Sequence, residues 1–255
     1  MASYNVHAGH GKSGGAGCGA VGILNESDEA RKVKNAVIAY LKSGGYTVYD
    51  CTYEGNTNAN AILKSIVTKC NSHKVDLDIS IHLNSGRNDY SGDGSTGGVE
   101  VYGYDGGTQT IGNAICSKIS AALGVRNRGF KINSGLYVLK NTKAQAILIE
   151  CCFVDDKDDV NRWNADKCAK AIVEAVTGKS VGGNVSGASV ASVNYYPKYT
   201  GGSTSIVDAL KSLGINSTFS NRKIIAAKNG IKNYCGTAEQ NGTLLALLKA
   251  GKLKK

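Results

Sequence analysis

Apolar residues recur along the first 180 positions with two different periods. Short runs rich in Val, Ile, Leu and Tyr at residues 3–7, 47–50, 77–83, 99–104, 135–140 and 146–154 predict six strands. Between them, apolar positions three and four apart predict helices. Val33, Val37, Tyr40 and Leu41 form one stripe, behind the polar start Asn25-Glu26-Ser27-Asp28 and ahead of the stop Gly44-Gly45. Ile62, Ile66, Val67 and Cys70 form a second within 58–72, and further helices are expected over 108–123 and 165–177. Strands alternating with helices predict an α/β fold: a twisted, mostly parallel six-stranded sheet flanked by helices on both faces. The segments 11–22 and 84–98 are rich in Gly, Ser and Asp and are too long for simple turns.

The pattern changes after residue 178. Residues 179–194 are Gly-, Ser- and Val-rich and carry a single charge, Lys179, which predicts a flexible linker. Helical patterning returns over 205–213, 221–229 and 237–249, so residues 195–255 are expected to form a small, mainly helical second domain beside a first domain of residues 1–178. Charge separates along the same line. Residues 1–180 carry a net +2 and residues 181–255 a net +8, out of +10 for the chain. A basic surplus in so short a segment fits an anionic partner as well as a plain solvated surface. It lacks the interleaved aromatics of a single-strand nucleic-acid binder, so no nucleic-acid partner is expected. No apolar run approaches the ~20 residues of a membrane helix, and the start of the chain shows no secretory signal. The eight cysteines show no CxxC spacing, which argues against a structural zinc knot and for thiols packed as small hydrophobes, Cys151-Cys152 included.

In an open α/β sheet the ligand site lies beyond the carboxyl ends of the strands. His10, His82 and Glu150 fall there, and Glu26 opens the helix after the first loop. Two imidazoles and a carboxylate make a catalytic zinc set with the fourth position left for water. His7 competes with His10, because on an extended strand the two point to opposite faces and only one serves. Glu150 lies inside Ala146-Ile147-Leu148-Ile149-Glu150-Cys151-Cys152-Phe153-Val154, where a carboxylate is costly without a partner or a task. It is either half of a buried ion pair or a general base.

These residues carry a resemblance. Ala8-Gly9-His10-Gly11-Lys12, Leu24-Asn25-Glu26, Ser80-Ile81-His82-Leu83-Asn84, Asn127-Arg128-Gly129, Leu136-Tyr137-Val138-Leu139 and Ile147-Leu148-Ile149-Glu150 occur in the order seen in the zinc N-acetylmuramoyl-L-alanine amidases of the amidase-3 family, over residues 3 to about 178. The resemblance implies Zn2+ held by His10, Glu26 and His82. It implies cleavage of the amide between N-acetylmuramic acid and L-alanine of peptidoglycan by a zinc-activated water, with Glu150 as general base. The family often has an acidic residue shortly before the first ligand, where this chain has His7 and Ala8, and a Pro before the last strand, where it has Ala144 and Gln145. The tail, from Tyr195-Tyr196-Pro197-Lys198-Tyr199 to the Leu244–Lys249 stretch, resembles wall-binding modules of clostridial phage endolysins. That resemblance implies peptidoglycan and an anionic wall polymer as partners. It also implies an enzyme made in the host cytoplasm without a signal peptide and released to a Gram-positive wall through holin lesions. A zinc peptidase of stem peptides would use the same ligands and base, and a mother-cell autolysin of a spore former would also lack the signal. Asn84 is expected either to bind stem peptide or to cap its own loop.

Overall fold

In the computed structural model, which describes residues 2–181 and 195–254, the alternating pattern becomes a single six-stranded sheet and its helices. The order is β1 (Ser3–Ala8), α1 (Glu26–Ser43), β2 (Thr47–Asp50), α2 (Ala59–Asn71), β3 (Leu77–Asn84), β4 (Val99–Gly103), α3 (Gln109–Leu123), β5 (Asn127–Ile132), α4 (Tyr137–Asn141), β6 (Ala146–Phe153), α5 (Lys157–Arg162) and α6 (Ala165–Thr177). Helix starts follow polar side chains that take up a free first-turn amide. Asn58 accepts from the Ala61 N–H at 3.0 Å, Asn164 from Lys167 at 2.9 Å and Asp156 from Asp159 at 2.9 Å.

The strands lie in the order β2-β1-β3-β6-β4-β5, and all neighbours are parallel except β4 and β6. Alternation along each strand sends its side chains to two different cores. Val6, Ile79, Ile81, Val101, Ile147 and Ile149 meet α1, α3 and α6 through Val33, Val37, Ile115, Ile119 and Ile172. Ala146 and Leu148 face the other way, onto Ile62 and Ile66 of α2 and Val138 and Leu139 of α4. Each fully buried aliphatic side chain is worth about 1.5–3 kcal/mol, so both faces are secured by apolar burial. Asn5 and Asp78 are the buried polar pair in the second layer. The Asn5 amide donates to Asp78 at 2.5 Å and to the Cys70 carbonyl at 3.0 Å, and burial pushes the Asp78 carboxyl up to about 6.

One expected strand is corrected. Residues 135–140 were expected to be extended, but α4 occupies Tyr137–Asn141, and the sixth strand is β5 at Asn127–Ile132. Leu136, Tyr137, Val138 and Leu139 form a continuous apolar run, and such a run does not distinguish a strand from a buried helical turn. Adjacent Val138 and Leu139 both enter the second core. β5 has no apolar alternation because it is a half-exposed edge strand, held by pairing to β4 and by the cations it carries. The short helix α5 also has no counterpart in the sequence pattern.

The chain divides into two compact units, Met1–Gly183 and Asn184–Lys255. Most of the segment expected as a linker, residues 182–194, lies outside the described residues. The second unit holds α7 (Ile206–Ser212), α8 (Phe219–Lys228) and α9 (Ala238–Lys249) around its own core of Ile206, Leu210, Ile225, Leu244, Leu248 and Leu253. All eight cysteines are free thiols, and Cys151 and Cys152 are core residues. No helix among the described residues is long and apolar enough to cross a membrane.

Gly98, where the second long loop enters β4, has φ of 93°, and a Cβ there would collide with the Arg126 carbonyl oxygen. Gly98→Ala is expected to cost roughly 2 kcal/mol, a fall of about 4–8 °C in the thermal midpoint followed by circular dichroism. Gly106→Ala, with ordinary backbone and open space around it, should leave the midpoint unchanged.

Candidate metal centre

Three side chains converge where β1 and β3 end and α1 begins. Leu77, Ile79, Ile81 and Leu83 of β3 face the first core, so His82 points to the opposite face. Glu26 is the first residue of α1, behind the capping Asn25, and the positive end of the helix dipole favours its ionised form. His10 follows β1 in a left-handed turn with φ of 64°, a conformation that costs a non-glycine residue about 1–2 kcal/mol. The turn is pinned by Arg31, whose guanidinium donates to the carbonyls of His10 at 3.3 Å and Gly11 at 3.1 Å. Gly9 leaves room for the His82 ring, which any Cβ at that position would overlap.

A single oxygen links the three. Glu26 Oε1 lies 3.2 Å from His10 Nε2 and 3.0 Å from His82 Nδ1, and it accepts the Leu83 N–H at 3.2 Å. The other carboxylate oxygen accepts the Ala20 N–H at 2.8 Å. Burial alone would push the Glu26 carboxyl up, but hydrogen bonds from His10 and His82 outweigh it and hold the group well below the usual carboxylate range. One donor atom from each residue lies within 4.8 Å of the other two. The set is an ionised oxygen donor and two imidazoles, with His10 one-third exposed on the open side. That donor chemistry and spacing fit a small divalent cation of borderline softness.

Glu150 stands beside the trio. It is the β6 register partner of His82, and since Ile147 and Ile149 face the first core, it projects to the same side as His82. Burial, and then the charges of Glu26 and Glu100, push its carboxyl well above the normal range, and its Oε2 is buried without a hydrogen-bond partner. Among the described residues no basic side chain forms an ion pair with it, so the buried-pair reading falls away. The carboxyl stands on the strand next to that of His82, with one oxygen unpartnered.

His7 does not join the trio. It is 1% exposed, its Nδ1 has no partner, and burial, followed by the charge of His82, pushes its pKa down to about 3. The expectation that His7 and His10 point apart is corrected. Both line one cavity of about 70 Å³ with Ile62, Ile66, His82 and Val138, because His10 lies past the end of the extended strand.

On its other side, Glu150 meets a second carboxylate that no motif singles out. Glu100 of β4 is its antiparallel register partner and is 2% exposed. Glu100 accepts from Asn84 Nδ2 at 2.7 Å, the Tyr102 hydroxyl at 2.8 Å, Arg128 Nε at 2.7 Å and the Lys131 ammonium. Burial opposes its ionisation, yet Lys131, Arg128 and Tyr102 hold its pKa at about 2. The detectable signal was a carboxylate between Val99 and Val101, the same anomaly that singled out Glu150. Asn84 donates to Glu100, while its side-chain Oδ1 accepts the Ser85 N–H at 2.8 Å. In the second unit, Lys223, Lys232, Asn233 and Tyr234 line a cleft of about 490 Å³. Tyr234 is buried in the core, Tyr196 and Tyr199 pack partly buried against it, and Tyr195 is exposed.

Known proteins resemble the first unit. The family model described as N-acetylmuramoyl-L-alanine amidase matches residues 5–178. An uncharacterized Clostridium perfringens protein is 35% identical over 170 residues, covering 66% of this chain and 50% of that protein. The chain therefore spans about half the length of the first curated relatives it matches. An endolysin of Bacillus phage SPP1 is 28% identical over 180 residues, 66% of this chain and 61% of its own. Among solved structures, the catalytic domain of the CD27L endolysin, which targets Clostridia difficile, superposes with a TM-score of 0.63 at 28% identity over 71% of this chain and all of its own.

Removing one donor is expected to empty the trio. By elemental analysis after dialysis against a zinc buffer, the intact protein should retain about one zinc ion, and His82→Ala and Glu26→Gln far less than one. Full retention in His82→Ala would remove that residue from the ligand set.

Proposed function

The chain belongs to the N-acetylmuramoyl-L-alanine amidase family through residues 5–178, and we propose that it hydrolyses the amide between the lactyl group of N-acetylmuramic acid and L-alanine in peptidoglycan. In this reading His10, Glu26 and His82 hold a zinc ion and Glu150 is the general base. The observation that carries it is the Glu26 carboxylate shared by two imidazoles, with an unpaired carboxyl one strand away. When bound, zinc acts as a Lewis acid that polarises the scissile carbonyl and acidifies water.

The rest is done by the chain. Glu26, ionised by its environment, would supply one negative charge toward the dication, and the imidazoles of His10 and His82 complete the set. Glu150, whose carboxyl burial pushes up, would be drawn toward its charged form beside a bound dication. Glu150 then accepts a proton from the attacking water as the new carbon–oxygen bond forms. As the carbon–nitrogen bond breaks it returns that proton to the alanine nitrogen, which leaves as a neutral amine. A peptidase of stem peptides would use the same groups, so the product decides between them.

The second unit extends the reading to delivery. Its net +8 and its cleft between Lys223 and Lys232 suit an anionic wall polymer. The likeness to an endolysin supports action on the wall by an enzyme made inside the host and released to it.

Glu150→Gln keeps the shape of the side chain but cannot accept a proton. It should retain zinc and fold, while wall digestion slows by ~100-fold or more. With the unmodified protein, digestion should free alanine amino groups without new sugar reducing ends. Near-normal lysis by Glu150→Gln would make Glu150 structural. Separately, a fluorescent fragment of residues 195–255 should decorate host walls without cutting them. Its binding should weaken as salt rises toward 1 M, where the screening length is about 3 Å. Failure to decorate walls at any salt would remove the wall role from this unit.

A further inference from the structure

Resting on the amidase reading, we propose that Arg128 and Lys131 form the receptor for the free α-carboxylate of the second stem-peptide residue, a γ-linked D-glutamate, and so set which peptidoglycan the enzyme prefers.

Glu150 gives the direction of the peptide. It must hand a proton to the departing alanine nitrogen, so alanine and the residues after it lie on the Glu150 side of the metal ligands. Across the sheet that side runs from β3 through β6 to β4 and β5. Strands are spaced about 4.8 Å apart, so Glu100 on β4 stands roughly 10 Å from His82 along this line. In an extended peptide, the carboxylate on the second Cα lies about 7 Å from the scissile carbonyl carbon. Arg128 and Lys131 belong to the outer strand β5, but both reach back to the same oxygen of Glu100, Oε2. Their cationic ends therefore stand over β4, at the reach of that carboxylate.

The pair is built to hold one more anion. A guanidinium carries five N–H donors, and only Nε of Arg128 is engaged; its two terminal nitrogens make no hydrogen bond among the described residues. Lys131 has three donors, of which Glu100 takes one. Two positive charges face a single buried carboxylate, leaving +1. Both side chains reach solvent, at 27% and 40% exposure. They are also held in place, with the Arg128 guanidinium 5.1 Å from the Phe153 ring centroid and the Lys131 ammonium 5.8 Å from that of Tyr102. Asn84 and Tyr102 fix the other oxygen of Glu100, so the buried carboxylate orients the cations while leaving donors free for a ligand. Arg128 and Lys131 are specificity residues that touch the peptide away from the reacting atoms.

The test compares peptidoglycan whose stem peptides carry D-glutamate with the same material after amidation of that α-carboxylate, using the full zinc-loaded chain and counting freed alanine amino groups. The acid form should be preferred by ~10-fold in kcat/KM, the scale of one charge-assisted hydrogen bond, and mostly through KM. Lys131→Met should reduce the preference for the acid form to about twofold. Arg128→Lys, which keeps the charge and loses the fork, should keep part of the preference. Equal rates of the unmodified protein on both forms, or an equal loss on both in Lys131→Met, would overturn the proposal and leave the amidase reading standing. If the unmodified protein frees alanine from neither form, the amidase reading fails and takes this proposal with it.

Discussion

One oxygen atom organises the catalytic face. Glu26 Oε1 is shared by His10 and His82, so a helix start, a turn after β1 and a side chain of β3 meet at one point. That arrangement demands an ionised carboxylate in a nearly buried position. The demand is met by the start of α1, two backbone amides and two imidazoles. The strained turn at His10 and the missing side chain at Gly9 follow from the same requirement, since without them the rings would not reach the oxygen.

Glu26 at the start of α1, Glu150 on β6 and Glu100 on β4 sit in different environments. Glu26 is held ionised by hydrogen bonds from two imidazoles, and Glu100 by an arginine, a lysine and two neutral donors. Glu150, between them, has burial and two like charges against it and no cation for it. Two flanking groups locked in the ionised state and a middle one poised to exchange a proton is the separation that acid–base work needs. The antiparallel pairing of β4 with β6 brings Glu100 beside Glu150 and thereby brings the cations of β5 toward the middle of the sheet.

Much of this was legible in the sequence because it depends on local rules. Asn25 and Asn58 mark helix starts through their own side chains, the 3.6-residue stripes mark α1 and α2, and Ala165–Thr177 was expected at its observed bounds. The second unit's three helices were visible for the same reason. Glu150 stood out because a carboxylate among apolar neighbours is costly, His10 and His82 because they fall where parallel strands end, and Glu26 because it opens the helix after the first loop. The division of charge at residue 180 is likewise plain from composition alone.

Other features were settled only by contacts between distant residues. Whether 135–140 is strand or helix depends on the pocket offered by α2 and β6, which no local pattern encodes. β5 is a strand because β4 presents it a free edge and Glu100 draws its cations inward, although Asn127–Ile132 has no strand period of its own. The choice of His10 over His7 rests on where the extended backbone stops and a left-handed turn begins. The pairing of Glu100 with Glu150 joins positions fifty residues apart through an antiparallel register that periodicity cannot predict. The sequence by itself determined which groups were too costly to bury idly and where the helices begin. The tertiary structure decided which of those groups share an oxygen, a strand register or a cation, because such energies exist only when long loops bring the partners within hydrogen-bonding distance.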